Sequence, residues 1–460
     1  SYCPDITLEP RTRYYWQVEV IADNGDRGKG ESFFETGKMT EEWKGKWISP
    51  PFKEMPLMVR DFEARDLVSA RVYAIGLGVY ELYCNGKKVG DEFLAPGYNS
   101  YDFWLQGHTY DLTEYMIDGE NCLGIMVGDG WYKGEFGFNG AVENLYGDKN
   151  VARIEIHIMD SKGRNSIICT DDSWLCHKSP VLGNSIYYGE DYDANLQVDD
   201  WSKPTCSRQD FVPVTACDRL ENENIRDRLS VPIKQFEQFR PEIIHTPKGE
   251  LVLDFGQNHS GWVEGDIHLP KGACLKLSYG ELLQDGCFYN GNLRSAKAQY
   301  TYISNGQPAH FRPHFTYYGF RYVKVRGQVD EKDLATFVSY ALYSAIDETG
   351  VVETSNEEVN KLISNAFWGQ KSNFVDVPTD CPQRDERMGW TGDTQAFSGT
   401  ASYNMYTPAF YNKYMKDLME EQKALDGGVP FVVPLMKPKV SRNVLDKHSS
   451  CGWGDAATVI

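Results

Sequence analysis

Asp376-Val377-Pro378-Thr379-Asp380-Cys381-Pro382-Gln383-Arg384-Asp385-Glu386-Arg387-Met388-Gly389-Trp390-Thr391-Gly392-Asp393 lies between two segments of helical periodicity. Upstream, Ser355-Asn356-Glu357-Glu358 has the form of a capping box, and Val359, Leu362, Ile363, Ala366 and Phe367 follow at helical spacing. Downstream, Thr394 to Tyr403 is compatible with a second helix. Pro408 then opens a third, with Tyr411, Tyr414, Met415, Leu418 and Met419 on one face, and Asp426-Gly427-Gly428 closes it. Between the first two helices, Pro378 and Pro382 prevent a continuous helix. Five of the 18 quoted residues are acidic, two are Arg and one is Trp. A solvated acidic loop needs neither the ring nor the rigid prolines; a loop presenting carboxylates into a cleft needs all of them. A carboxylic acid held near a second carboxylate or a ring keeps its proton to higher pH and can act as a general acid. Cleavage of a glycosidic bond requires such an acid, with a stacking ring and carboxylates to grip the sugar. A charged capping loop with internal Arg–Asp pairs is the other reading that the residues leave open.

N-terminal to these helices the chain reads as β. Tyr14 to Val20 alternates, Asp23-Asn24-Gly25-Asp26 turns it, and Ser32 to Thr36 returns. Two strands are not a stable unit, so residues 1–40 read as the last strands of a truncated fibronectin-III-like sandwich. Residues 46–205 carry short strands with regular turns, the pattern of a sandwich. Val72 to Leu82 is one strand, Asn85-Gly86 is a hairpin turn, and Val151 to Ile158 and Ser166 to Cys169 are further strands. The aromatic loop from Trp131 to Gly140 is either a sugar-binding loop or a loop packed on its own sandwich. Residues 206–235 are polar and mixed, as in a connector. A second sandwich occupies 230–345, with strands at Glu250 to Phe255, Trp262 to Ile267, Cys274 to Tyr279, Ala298 to Ile303 and Arg321 to Val325. The fold class is therefore multidomain β plus α, with successive sandwiches followed by helices from 346 to 460.

The 460 residues are 41% hydrophobic and 25% charged, a core-forming composition. Sixty-six acidic against 47 basic residues give a net charge of −19. Such a surface repels nucleic-acid phosphate and anionic membrane, and no apolar run is long enough to span a bilayer. The 11 cysteines are scattered without a CxxC, which favours a reducing compartment and gives no sign of a zinc ribbon. The nine histidines are dispersed; the close pair His310/His314 is flanked by Pro313 and Phe315, as in strand packing. Of the 61 aromatic side chains (11 Trp, 28 Tyr, 22 Phe), most read as strand core.

The segment Asp380 to Asp393 closely resembles the active-site signature of bacterial α-L-rhamnosidases of glycoside hydrolase family 78. The resemblance extends over essentially the whole chain. Tyr80 to Asp91, Ala95-Pro96-Gly97 and Gly128 to Gly134 look like the family's N-terminal rhamnose-binding-type sandwich. Asp254 to Asn258 and Tyr318 to Tyr322 look like its second sandwich, and Gly452 to Ala456 is similar to a segment of its (α/α)6 barrel. The resemblance implies that residues 346–460 begin that barrel and that the protein removes terminal non-reducing α-L-rhamnose from rhamnosides with inversion. It places Glu386 as general acid, and Asp380, Arg384 and Asp393 on the rhamnose hydroxyls. Trp390 and Trp453 form aromatic walls. The expected partner is a rhamnose-containing carbohydrate, not nucleic acid. No cofactor is required; some members bind Ca²⁺ in the first sandwich, and metal ligands are left unassigned. The family's general base lies several helices after the signature. The chain is therefore expected to be an internal fragment, inactive alone, with its base beyond residue 460. The source is expected to be bacterial, cytoplasmic or periplasmic. The competing readings are an inverting (α/α)6 glycosidase for another sugar and a non-catalytic carbohydrate-binding protein.

Overall fold

Alternation of apolar and polar side chains along the strands determines where the sheets face. The computed structural model describes residues 5–137, 142–217, 223–436 and 449–460. A six-stranded sheet runs in the order Val212–Pro213, Leu175–Lys178, Pro56–Ala64, Gly119–Gly128, Val79–Cys84, Lys87–Lys88. It packs on a seven-stranded sheet in which Val151–Asp160 lies between Trp47–Ser49 and Leu67–Leu77. Met58, Leu82, Leu123 and Ile125 of one sheet meet Val72, Ala74, Ile154 and Ile156 of the other in a single buried cluster. This is a β-sandwich core.

The strand expected from Val72 to Leu82 is divided. Leu67–Leu77 belongs to the seven-stranded sheet and Val79–Cys84 to the six-stranded one. Gly78, at φ 119°, makes the crossing, and a Cβ there would sit 2.2 Å from the Gly128 carbonyl oxygen. Side-chain alternation continues through such a crossing, so periodicity alone does not reveal it. The expected connector is also partly strand: Val212–Pro213, Thr215–Cys217 and Ile225–Asp227 close edges of the two sheets. Edges left open would expose unpaired N–H and C=O groups.

An eleven-stranded sheet forms the next layer. The two strands expected at 250–255 and 262–267 are one, Leu251–Ile267, whose register shifts between Asp254 and His259. Turn residues within a run thus mark an irregularity here, not a hairpin. The sheet also takes in Val181–Ser185, Gly189–Asp193 and Glu92–Phe93, which come from the stretch read as the first sandwich. The aromatic loop takes the packed reading: Trp131 and Phe136 are buried, stacked near Tyr98 and Tyr187 respectively. Residues 138–141 of that loop lie outside the described residues. Arg13–Ile21 and Arg27–Glu35 form a separate two-stranded hairpin.

Three long helices follow: Glu357–Asn373, Thr391–Asn404 and Pro408–Ala424. The first is capped by Asn356, whose side chain accepts from Glu358 N and Val359 N, instead of by Ser355. Its expected apolar stripe is only partly covered, since Leu362 is 68% exposed. The third buries Tyr411, Tyr414 and Leu418, while Met419 is exposed. One core cluster runs from Leu57 and Ile75 through Trp262, Tyr279 and Phe320 to Val375, Val377, Met388 and Val432. The loop between the first two helices is therefore seated in the same core as the β layers. That embedding positions the site.

Candidate active site

The loop starts as a two-residue ribbon, Phe374–Val375 against Val377–Pro378, turning at Asp376 (φ 66°). Short polar side chains tolerate this left-handed backbone better than others. The Asp376 carboxylate accepts from Tyr98 N at 2.6 Å and from Lys413 Nζ at 3.0 Å, tying the ribbon to the loop after Gly97. The loop closes on itself further on: Asp380 N donates to Met388 O, and Met388 N to Asp380 Oδ1.

Arg387 fills the interior of this closed loop, fully buried and at φ 53°. It faces no carboxylate within ion-pairing distance among the described residues. Its guanidinium instead donates to the carbonyls of Ile186, Tyr317, Gln383 and Arg384, and lies over the rings of Tyr317 and Tyr187. A planar group with five donors suits this cage of carbonyls and rings, which a lysine ammonium does not match. Tyr187 in turn donates to Glu386 O at 2.6 Å. The backbone under Glu386 is thus held by the β layers.

Glu386 is 8% exposed, and its carboxylate meets three side-chain N–H groups. Oε1 accepts from Trp390 Nε1 at 3.1 Å; Oε2 accepts from Arg294 Nη2 at 2.6 Å and lies 3.1 Å from Arg384 Nε. Arg384 Nη2 also reaches Asp380 Oδ2 at 3.4 Å. Burial pushes the Asp380 carboxyl up to about 6, Cys381 and Arg384 oppose this, and the Glu386 charge adds to it. Burial, with Glu386, also raises Asp393. Four of the predicted residues, Asp380, Arg384, Glu386 and Trp390, therefore form one contact cluster. Asp393 and Trp453 join it through a neighbouring cavity of about 650 Å³, which Asp380, Gln370, Phe397 and Tyr411 also line. The Trp453 indole N–H finds no acceptor among the described residues.

Ligand atoms of Asp380, Cys381 and Glu386 lie within 4.8 Å of one another, the one such three-residue group among the described residues. Burial pushes the Cys381 thiol up to about 12, and two guanidinium groups already neutralise the carboxylates. Ca²⁺ takes six to eight oxygen ligands, so this donor set does not fit it. The group also lies outside the first sandwich, where the resemblance allows Ca²⁺.

Behind the loop, Glu421 on the third helix accepts from Ser100 Oγ at 2.7 Å and from Leu435 N at 3.0 Å. Leu435 follows the strap in which Phe431 O accepts from Thr391 N and Val433 N donates to Gly389 O. Burial pushes the Glu421 carboxyl up to about 8. A folded-state value raised above 4.5 means that the native protein binds the extra proton. The contribution of Glu421 to stability is then full below about pH 4.5 and is lost as pH rises toward 8. Glu421→Gln should flatten that decline, read as melting temperature against pH.

Sequence reasoning missed Arg294, Ser295, Tyr187 and Lys413, which stand far from the signature in the chain; it quoted Arg387 without giving it a role. A lone Arg in a turn or on a helix carries no periodicity that marks it as part of a site.

Layered β-sheets lead into helices, with a buried carboxylate–guanidinium–indole cluster at their junction. Family models agree along the chain. Residues 65–237 match the alpha-L-rhamnosidase N-terminal domain, 244–343 the bacterial alpha-L-rhamnosidase concanavalin-like domain, and 347–460 the bacterial alpha-L-rhamnosidase 6 hairpin glycosidase domain. The chain belongs to the bacterial α-L-rhamnosidase family. It is 32% identical to an alpha-L-rhamnosidase of Formosa agariphila, over 98% of this chain and 50% of that protein. The native α-L-rhamnosidase of Aspergillus terreus superposes with a TM-score of 0.94 at 30% identity, covering 98% of this chain and 54% of that one. The Streptomyces avermitilis alpha-L-rhamnosidase complexed with L-rhamnose shares the fold (TM-score 0.92, 24% identity, 98% of this chain and 60% of that one). The chain spans about half the length of the curated relatives it matches.

Proposed function

We propose that the protein carrying this chain hydrolyses terminal non-reducing α-L-rhamnosides, with Glu386 as general acid and inversion at the anomeric carbon. The observation that carries this reading is the cluster at Glu386, whose carboxylate meets an indole N–H and two guanidinium groups, with the Asp380 carboxyl beside it raised to about 6. Burial and the neighbouring Glu386 charge keep a proton on Asp380 into the mildly acidic range. In the proposed step a proton passes from the Glu386 carboxyl to the glycosidic oxygen as the bond from the anomeric carbon to that oxygen breaks. The departing alcohol carries it away, and water adds to the anomeric carbon as one of its protons passes to a general base. Asp380, Arg384 and Asp393 hydrogen-bond the ring hydroxyls. Trp390 and Trp453 supply apolar walls for the sugar's methyl face. We assign no general base within this chain.

The support is threefold: family membership, the rhamnose named with one fold relative, and the cavity that brings Asp380, Asp393 and Trp453 to one space. The test is a panel of aryl glycosides with the full-length protein, the anomer of the first product being read by NMR. Turnover confined to the α-L-rhamnoside with release of β-L-rhamnose is expected. Preferred turnover of another sugar would move the assignment to a different glycosidase. Rhamnose binding without turnover of any glycoside would leave a binding protein.

A further inference from the structure

Arg294 reaches Glu386 from outside the helical segment. It follows the short turn Gly291–Leu293, in the stretch that joins strand Cys287–Tyr289 to strand Gln299–Ile303 of the eleven-stranded sheet. Its backbone lies at φ 57°, ψ −116°, a conformation that a residue other than glycine adopts only where its surroundings hold it. The side chain accounts for the holding. Nε donates to Asp385 Oδ1 at 2.5 Å, while Nη2 donates to Asp385 O at 2.8 Å and to Glu386 Oε2 at 2.6 Å. The adjacent Ser295 Oγ donates to Asp385 Oδ2 at 2.5 Å. One guanidinium thus grips both the backbone of the loop and the carboxylate that follows it.

The other neighbours of Glu386, Arg384 and Trp390, belong to the loop itself and move with it. Arg294 alone among these three ties the carboxylate to a different part of the fold. We propose that Arg294 is a positioning residue, orienting the Glu386 carboxyl for proton transfer by anchoring it to the β-sheet layer. Charged and titratable groups that share this environment are Asp380, Cys381, Arg384, Asp385 and Asp393. The inference rests on the reading of Glu386 as general acid.

Alignment of an acid matters most when the departing alcohol is a poor leaving group, because that oxygen cannot leave without its proton. A dinitrophenolate leaves with little protonation. Full-length Arg294→Ala, Arg294→Lys and Glu386→Gln are therefore compared on rhamnosides running from dinitrophenyl to a simple alkyl aglycone. Arg294→Ala should lower kcat on the alkyl rhamnoside by about 100-fold, the scale set by misplacing a catalytic group by an ångström. The loss should shrink steadily toward the dinitrophenyl substrate, with KM changed by less than the rate. Arg294→Lys, which keeps a charge but not the paired donors, should show a shallower version of the same slope. If Arg294→Ala does not fold, the Arg294→Lys slope alone decides the question. An equal loss on every substrate from the Arg294 variants, beside a steep slope for Glu386→Gln, overturns the positioning role and leaves the acid assignment standing. A flat Glu386→Gln series overturns the acid assignment itself.

Discussion

Glu386→Gln in the full-length protein should lower kcat on an unactivated rhamnoside by about three orders of magnitude, within the range that general acid catalysis contributes. The substitution is nearly isosteric. The amide oxygen can still accept from Trp390 Nε1 or from Arg294 Nη2, which reach the native carboxylate at 3.1 and 2.6 Å. The backbone contact from Tyr187 does not involve the side chain at all. Substrate binding and melting temperature should therefore change little, and the loss should appear in kcat. An amide has no proton of suitable acidity to give to the glycosidic oxygen, which is why the rate falls while the site persists. Steady-state kinetics on an alkyl rhamnoside, with a thermal melt as control, provides the check. A variant that keeps wild-type kcat would remove Glu386 from the reaction.

The second large effect concerns stability. Lys413, Asp376 and Asp417 have side chains no more than 1% exposed, and the lysine contacts both carboxylates, at 3.0 and 3.2 Å, as well as the Tyr98 carbonyl. Burial works against the ammonium, but Asp376 and Asp417 more than offset it and leave its pKa above the usual value. Asp417 Oδ1 also accepts from Ser100 N and Trp104 Nε1. The triad therefore joins the third helix, the start of the loop that carries Glu386 and a loop of the first sandwich. Lys413→Met should cost about 3–5 kcal/mol, because two carboxylates lose their buried counter-charge. The penalty belongs to the stranded charges, so adding Asp376→Asn should recover part of it. Thermal or urea unfolding of the single and double variants measures both numbers. A single variant as stable as wild type would show that the triad is solvated.

Local elements were legible wherever one segment carries its own signal. The helix around Val359 to Phe367, the stop at Asp426-Gly427-Gly428 and the Asn85-Gly86 turn all depend on contacts within a few residues. Asn85 and Gly86 indeed sit at φ 51° and 82°. The readings failed where neighbours in space decide. Whether Leu67–Leu77 and Val79–Cys84 lie in one sheet or two depends on which strands they pair with, and alternation is the same in either case. Whether Trp131 and Phe136 face solvent depends on Tyr98 and Tyr187, distant in the chain.

The candidate site divides along the same line. The sequence by itself determined the composition of the acidic loop and the breaks at Pro378 and Pro382, which follow from side-chain chemistry on one short segment; the choice of Asp380, Arg384, Glu386, Trp390, Asp393 and Trp453 came from its resemblance to a family signature. Only the tertiary structure decided that Glu386 faces Arg294 from a turn between strands of the β layers, that Arg387 supports the loop, and that Lys413 secures its start. A carboxylate's partners are set by distances of about 3 Å, and such distances arise between residues that the chain separates by up to 321 positions.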